Sequence, residues 1–274
     1  MILPDLNQTT FSVMFAQAGK KIPIDENLLR HIILNCIRSY NVAHKEFGEL
    51  VICSDSTNNW RKDIFPYYKA NRKQSRDAST LNWTEIFTYF DNIKSELNEF
   101  FPYPLIQVDK AEADDIIAEI PSMVDEKILI LSGDTDFVQL HNDQVSQYDI
   151  VRKRKITNKN KNYLKEHIIE GDRSDGIPNI LSADDTFFLK KRMKTLTTKK
   201  KDMLIATDPN LYPSVEKRNY QRNKELIDLT CTPEDIKLNI RAKYVSSPRK
   251  DKSKLFNYFY DKKLTKFISS IQEF

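Results

Sequence analysis

Ile128-Leu-Ile-Leu-Ser-Gly-Asp-Thr-Asp-Phe137 decides how the rest of the chain is read. Its first four residues are apolar and two are β-branched, which predicts a strand buried on both faces of a parallel sheet. Ser132-Gly133 ends the run, and Asp134 and Asp136 follow at once. A buried parallel strand ending in Asp-x-Asp puts both acids at the carboxyl edge of the sheet, where open α/β folds carry their sites. Carboxylates this close repel each other unless a proton or a cation intervenes. Oxygen-only donors of this kind suit Mg²⁺ or Mn²⁺. Asp-x-Asp alone also occurs in phosphatases, glycosyl transferases and solvated turns, so the other acids decide.

Upstream, Ile2-Leu-Pro-Asp5 is a short apolar entry ending in an acid, and Leu50-Val-Ile-Cys-Ser54 is a second apolar run, followed by Asp55. Between them Leu29, Ile32, Ile33, Cys36, Ile37 and Tyr40 recur at helical spacing until Gly48 stops the pattern. Strand, helix, strand with an acid closing each strand is a βαβ unit with a parallel sheet. Residues 83–101 return to helical periodicity, and Leu105-Ile-Gln-Val108 reads as a third strand. In Ala111-Glu-Ala-Asp-Asp-Ile-Ile-Ala118, Glu112 and Asp115 share one helix face with Asp114 beside them. The helix dipole favours acids there, but three in four residues exceed what capping needs. After the central strand, a helical turn is expected over 137–141 and an edge strand over 145–151.

Residues 58–81 break the pattern. Trp60-Arg-Lys-Asp-Ile-Phe-Pro-Tyr-Tyr-Lys-Ala-Asn-Arg-Lys-Gln-Ser-Arg76 interleaves six cations with Trp60, Phe65, Tyr67 and Tyr68. Such a mixture suits a phosphodiester backbone with stacked or frayed bases, and so long a loop is itself a functional signal. Trp60, Arg61, Lys62, Tyr68, Lys69, Arg72 and Lys73 are its nucleic-acid-binding candidates. Further on, a helix over 163–170 leads into Gly171-Asp-Arg-Ser-Asp-Gly-Ile-Pro-Asn-Ile180, a tight turn carrying Asp172 and Asp175. A second helix is expected over 184–196, with Lys190, Lys191 and Arg192 near its end. Helix, hairpin, helix with flanking lysines is a phosphate-gripping arrangement. Residues 199–274 read as helical, with loops at 209–213 and 246–248.

At 274 residues the chain is long enough to bury a real core. Its apolar runs are too short to span a bilayer, and Met1-Ile-Leu-Pro-Asp5 lacks the pattern of a secretory leader. Cys36, Cys53 and Cys231 lie far apart, which suggests neither a disulfide framework nor a zinc site. A cytoplasmic protein, in a host cell if phage-encoded, is expected. Residues 151–274 carry 29 Lys+Arg against 16 Asp+Glu, so a net charge of +4 conceals a basic second half and an acidic first half. That divides the chain into 1–155, an acidic core with a loop at about 56–82, and 156–274, a basic helical region packed on it. One part suits cations and the other phosphates.

Asp5, Asp55, Glu112, Asp114, Asp115, Asp134, Asp136, Asp172 and Asp175 thus fall at strand ends, a helix start and a hairpin. No Ser or Cys pairs with a His to make a nucleophile, which leaves metal-activated water. With these segments together the chain resembles the 5′-nuclease (flap endonuclease) superfamily, and within it the ribonuclease H proteins of tailed phages. The resemblance rests on Asp5-Leu-Asn-Gln, Asp55 with Trp60-Arg-Lys-Asp and Tyr67-Tyr-Lys-Ala-Asn-Arg, Glu112-Ala-Asp-Asp, Gly133-Asp-Thr-Asp-Phe, Gly171-Asp-Arg-Ser-Asp-Gly-Ile-Pro and Ile271-Gln-Glu-Phe. It departs from the family at Gly176, where many relatives carry Asn, and after Pro178, where a glycine-rich hairpin is missing.

The resemblance implies an α/β fold: a parallel-sheet, PIN-like nuclease core with a helical arch, a helix-hairpin-helix module and a C-terminal helical subdomain. It implies two Mg²⁺ ions, with Mn²⁺ as a substitute, roughly 3.5–4 Å apart in such sites. One would be held by Asp5, Asp55, Asp114 and Asp134 with Glu112 and Asp115 around it, the other nearer Asp136, Asp172 and Asp175. Lys69 and Arg72 would belong to the arch and steady developing negative charge, and Tyr68 could stack on the terminal nucleotide. Implied substrates are RNA–DNA hybrid, duplex and 5′-flap DNA in RNA-primer removal. A sliding clamp and a single-strand DNA-binding protein are implied partners, a monomer the implied state. A structure-specific DNA-binding protein with a decayed site is the rival reading, but binding alone would favour losing acids near phosphate. A small-molecule phosphatase built on Asp134-x-Asp136 is a second rival, and the basic second half argues against it.

Overall fold

A computed structural model of the chain describes residues 1–18, 24–158 and 160–274. They divide into two compact units, the first built from Met1–Thr57, Asn82–Ile156 and Asp235–Phe274, the second from Asn58–Leu81 and Thr157–Glu234. These units cut the chain differently from a division at 155/156. The arch segment groups with the hairpin region, and residues 235–274 group with the first unit.

In the first unit the apolar run Ile128–Leu131 is the central strand β4, buried at all four positions. It pairs in parallel with β1 (Ile2–Pro4) on one side and with β5 (Val145–Asp149) on the other. Parallel bridges from Ile2 to Leu50 and from Asp5 to Cys53 tie β1 to β2 (Ile52–Cys53), which pairs in parallel with β3 (Leu105–Ile106). The strand order is therefore β3-β2-β1-β4-β5, all parallel, and the direction of winding reverses beside β1. The strand expected at the edge is interior: β6 (Arg154–Ile156) adds antiparallel to β5 and forms the edge. An exposed Arg-Lys-Ile triplet lacks the apolar alternation that marks a strand, so only its partner reveals it.

The expected helices form where caps support them. Helix α1 (Leu6–Ala18) follows β1 directly. Asp25 caps α2 (Glu26–Ala43) by accepting from the Leu28 N–H at 2.7 Å, and Asn82 caps α5 (Trp83–Phe100) through the Glu85 N–H at 3.3 Å. α2 packs on both α1 and α5, burying Leu29, Ile33 and Ile37 on one side and Ile86, Phe90, Ile93 and Leu97 on the other. The part from 235 onward adds α10 (Glu234–Ser246), α11 (Leu255–Asp261) and α12 (Thr265–Ile268). Phe101, Phe259, Phe267 and Phe274 close it with edge-on and tilted ring contacts. No helix among the described residues is long and apolar enough to cross a membrane.

Charge explains part of this grouping. Arg241 reaches Glu119 at 2.6 Å and Arg249 reaches Glu49 at 2.9 Å, so these C-terminal cations are engaged by acids of the first unit. Arg30, almost fully buried, holds Glu96 at 2.7 Å through Nε and 2.9 Å through Nη2, and Tyr258 and Lys262 donate to the same carboxylate at 2.7 and 2.6 Å. Burial alone would raise the Glu96 carboxyl, but the donors Arg30, Lys262 and Tyr258 reverse this and hold it below the usual range. A depressed carboxylate stabilises the fold above its unfolded pKa and loses that contribution as pH falls through the folded value. Melting temperature is therefore expected to drop on acidification below about pH 4. Glu96→Gln should lower it at neutral pH and flatten that acid limb. Melts at pH 7 and 3.5 check this, and an acid limb of unchanged steepness in the variant would count against it.

Candidate active site and nucleic-acid interface

In the first unit the carboxylates stand where the parallel strands end. Asp5 follows β1, 6% exposed, and accepts the Gln8 N–H at 2.9 Å, capping α1. Cys53, wholly buried opposite it, has a thiol pushed well up, by burial first and by the Asp5 charge second. Asp55, just beyond β2, accepts the Ala113 N–H at 2.8 Å, while its own carbonyl receives the Gln107 amide at 2.8 Å. That bond joins the end of β2 to the start of α6 (Ala113–Glu119). Glu112 is the N-cap of α6 in a capping box: the Asp115 carboxylate accepts the Glu112 N–H at 2.9 Å. Asp115 is fully buried and Asp114, beside it, half-buried. Capping thus accounts for Asp115 more fully than an acid-rich helix start suggests.

After β4, Asp134 caps the short 3₁₀ turn Thr135–Leu140 by accepting the Asp136 N–H at 3.0 Å. Three neutral side chains hold this turn. Gln8 Oε1 accepts from Ser132 Oγ at 2.9 Å and from the Gly133 N–H at 2.8 Å. Gln147, fully buried on β5, donates to the Ser132 and Asp134 carbonyls at 2.9 and 2.5 Å. Its oxygen meets His141 Nε2 at 2.9 Å. Burial pushes the His141 pKa down, outweighing the Gln147 bond, so the ring is neutral near pH 7 and its Nε2–H serves as the donor. A Cβ at Gly133 would lie 3.2 Å from the buried Asp149 carboxylate, a tight approach that a larger residue meets only if that side chain gives way. Gln147 and His141 stand in none of the sequence segments quoted above, and Gln8 only closes Asp5-Leu-Asn-Gln. A fully polar Gln inside a strand that is otherwise buried at alternate positions was the one available signal.

In the second unit α7 (Tyr163–Glu170) leads into the hairpin. Asp172 Oδ1 accepts the N–H groups of Ser174 and Asp175 at 2.6 and 3.2 Å, which shapes the turn. Asp175, 7% exposed, is the meeting point of the arch base. It accepts Tyr68 Oη at 2.8 Å, pairs with Arg72 at 2.5 Å and Lys69 Nζ at 3.4 Å, and its carbonyl takes the Lys69 N–H at 2.7 Å. Lys69 sits at φ 55°, a left-handed conformation that non-glycine residues rarely hold without compensation. From Lys69 runs α4 (Ala70–Asp77), so the expected loop is partly helical; α3 (Arg61–Ile64) is a further turn. Helix α9 (Ser214–Ile227) holds the hairpin's far side: Asn223 donates to the Ile168 and Pro178 carbonyls at 2.8 and 2.9 Å, and Arg222 to Pro178 at 3.0 Å.

Residues 7–170 match the family described as 5′-3′ exonuclease, N-terminal resolvase-like domain, and residues 161–274 match T4 RNase H, C terminal. The chain belongs to the 5′-3′ exonuclease family. It is 31% identical to the ribonuclease H of Enterobacteria phage T4 over 99% of this chain and 95% of that one. It is 24% identical to the flap endonuclease Xni of Shewanella oneidensis over 83% of this chain and 89% of that one. Among solved structures it resembles the T5 5′-exonuclease with bound zinc, at TM-score 0.63 and 17% identity, covering 90% of this chain and 98% of that one. It also resembles a T5 flap endonuclease solved with DNA and metal ions, at TM-score 0.62 and 17% identity, covering 89% and 97%. The fold is thus the PIN-like α/β nuclease core with helical additions. The chain is an enzyme, a nuclease whose relatives act on phosphodiester bonds.

Several expectations about this 5′-3′ exonuclease family member need correction. Arg61 is 2% exposed, donates Nε to the Leu226 carbonyl at 2.9 Å and lies 4.6 Å over the Trp60 ring, itself 7% exposed. Tyr68 is 2% exposed among Phe65, Ile168, Ile177 and Leu226. Trp60, Arg61 and Tyr68 therefore anchor the segment, and the Tyr68 ring has no face open for stacking on a nucleotide. Cations beside aromatics pack a segment as readily as they grip nucleic acid. Lys62, Arg72 and Lys73 remain exposed. The helix expected over 184–196 is absent: those residues form turns and then an irregular strap. Asp184, its expected first residue, is drawn instead to Arg218 and Arg222 of α9, and Lys190 turns left-handed at φ 54°. Lys190, Lys191 and Arg192 lie exposed on that strap.

Proposed function

We propose that this nuclease is a Mg²⁺-dependent 5′→3′ exonuclease and flap endonuclease that hydrolyses RNA–DNA hybrid and duplex or flap DNA. Its task would be removal of RNA primers in lagging-strand replication, beside a sliding clamp and a single-strand-binding protein. The observation that carries the reading is the set of oxygen donors at the carboxyl ends of β1, β2 and β4 and the start of α6. Asp5, Asp55, Asp114 and Asp134 would hold a divalent ion, with Glu112 and Asp136 nearby. No nitrogen or sulfur ligand is among them, which fits Mg²⁺ or Mn²⁺. Such an ion, when bound, lowers the pKa of water and polarises the phosphoryl group. The chain's own part is to hold these acids rigidly: Gln8 and Gln147 fix the turn after β4, and Asp55 fixes the start of α6. The relatives' names, ribonuclease H and flap endonuclease, support the choice of substrates.

A duplex with a labelled 5′ RNA–DNA flap tests this. Short 5′-derived products with Mg²⁺, and none with EDTA, are expected, and their lengths separate exonuclease from flap cutting. Tight binding without product under either Mg²⁺ or Mn²⁺ would refute it. Lys69 and Arg72 are proposed to meet the substrate phosphodiester. Lys69→Ala is accordingly expected to lower kcat about 10²-fold, as loss of one donor to a developing oxyanion does, with affinity changed by less than about threefold. A loss confined to affinity would make Lys69 a positioning contact only.

A further inference from the structure

The two acids of the hairpin are not equivalent. Asp175 is committed to the arch base on both oxygens. Its Oδ1 takes Arg72 at 2.5 Å and Ser174 Oγ at 3.3 Å, and its Oδ2 takes Tyr68 Oη at 2.8 Å with Lys69 Nζ at 3.4 Å. An ion drawn to this carboxylate would stand beside two cations, which repel it. Asp172 is used differently. Its Oδ1 shapes the turn through the Ser174 and Asp175 N–H groups, while its Oδ2 faces the His167 ring, 3.7 Å from Nε2. That separation is too long for a hydrogen bond. Of the two hairpin acids, the geometry therefore favours Asp172 as a ligand.

His167 is placed to serve the same ion. It stands in the last turn of α7, four residues after Tyr163, whose ring lies 5.8 Å away and within 15° of parallel. This stacking fixes the plane of the imidazole. Both side chains are largely covered, 16% exposed for His167 and 18% for Asp172, so neither swings freely in solvent. Two ligands about 2.1 Å from one ion stand about 3 Å apart when adjacent and about 4.2 Å apart when opposite. The 3.7 Å between Nε2 and Oδ2 lies within that span. His167 and Asp172 are separated by a helix end and a glycine, so no helix-face spacing announces the pair. Imidazole also changes the selectivity of a site. Mg²⁺ prefers oxygen and water, whereas a nitrogen donor suits transition metals.

We propose that His167 Nε2 and Asp172 Oδ2 together hold the second divalent ion, and that this nitrogen shifts the site's preference from Mg²⁺ toward Mn²⁺. The proposal rests on the nuclease reading above, which supplies a first ion bound by oxygen alone. The test is pulsed electron paramagnetic resonance on the full chain loaded with Mn²⁺ at both sites, without nucleic acid. Modulation from a directly bound imidazole nitrogen is expected, and it should change to the ¹⁵N pattern when the histidines are labelled. His167→Gln should abolish it. In calorimetric titrations the same variant should bind its second Mn²⁺ about 10-fold more weakly or worse, at least the loss that follows removal of a ligand's outer partner. Its Mg²⁺ affinity should move less than about threefold, because Mg²⁺ readily keeps a water in that position. The wild-type spectrum decides even if the variant fails to fold. No nitrogen modulation in the wild type, or its persistence in a folded His167→Gln protein, would overturn the proposal. Flap cleavage is scored separately. A wild type that cuts without nitrogen coupling overturns His167 ligation alone, and one that shows the coupling but never cuts under Mg²⁺ or Mn²⁺ refutes the nuclease reading alone.

Discussion

Asp134→Asn is expected to reduce flap cleavage about 10³-fold or more while leaving substrate binding intact or tighter. The charge being removed stands at the end of the central strand, where the Asp136 N–H already occupies one oxygen at 3.0 Å. Asparagine retains that acceptor, so the turn persists, but it brings a neutral donor to a divalent ion. Loss of one anionic ligand removes several kcal/mol of phosphoryl polarisation, and about 4 kcal/mol corresponds to 10³ in rate. Binding moves the other way because a carboxylate beside a phosphodiester repels it. Single-turnover cleavage and anisotropy on one flap substrate measure both. Parallel loss of cleavage and binding would show instead that the turn after β4 had collapsed.

Gly171→Ala is expected to give the largest loss of stability. Gly171 ends α7 at φ 71°, ψ −177°, a region open essentially to glycine alone. A Cβ there would lie 2.4 Å from the Ile177 carbonyl oxygen and 2.7 Å from the Pro178 carbonyl carbon and oxygen. These atoms cannot retreat cheaply, because the Pro178 oxygen is held by Arg222 and Asn223, and the Ile177 N–H is bonded to the Asp172 carbonyl at 2.7 Å. Strain of about 1–3 kcal/mol and one or two broken buried hydrogen bonds at about 1–3 kcal/mol each lower the melting temperature of this unit by more than about 10 °C. The chain has two tryptophans, and in a Trp83→Phe background Trp60 fluorescence reports the second unit. An unchanged melt would mean that the hairpin shifts freely.

What could be read in advance was whatever depends on local pattern. Ile128–Leu131 is a strand because four apolar residues meet a Gly and an acid, and the acids after β1, β2 and β4 follow from the same grammar. Roles set by distant partners could not be read. Arg61 resembles a phosphate contact until Leu226, 165 positions away, takes its Nε–H. Asp184 looks like a helix start until Arg218 and Arg222 claim it. Arg241 and Arg249 look like part of a basic half until Glu119 and Glu49 receive them. Gln147 carries no charge and stands in no motif, and Gln8 only closes the Asp5-Leu-Asn-Gln segment, so their bonds to the turn are what reveal their role.

The second unit is discontinuous in sequence, and this has a consequence in time. Phe65 and Tyr68 pack on Ile168, Ile177 and Leu226, and Tyr68 bonds to Asp175, 107 positions later. At synthesis rates of about 5–20 residues per second, Asp175 is made roughly 5–20 s after Tyr68. Until then Phe65 and Tyr68 have only neighbours within residues 60–69 to cover them, and their remaining faces are open to other nascent chains. Residues 60–76 therefore emerge well before their partners, and Lys69 and Arg72 are placed only late in the chain's own translation.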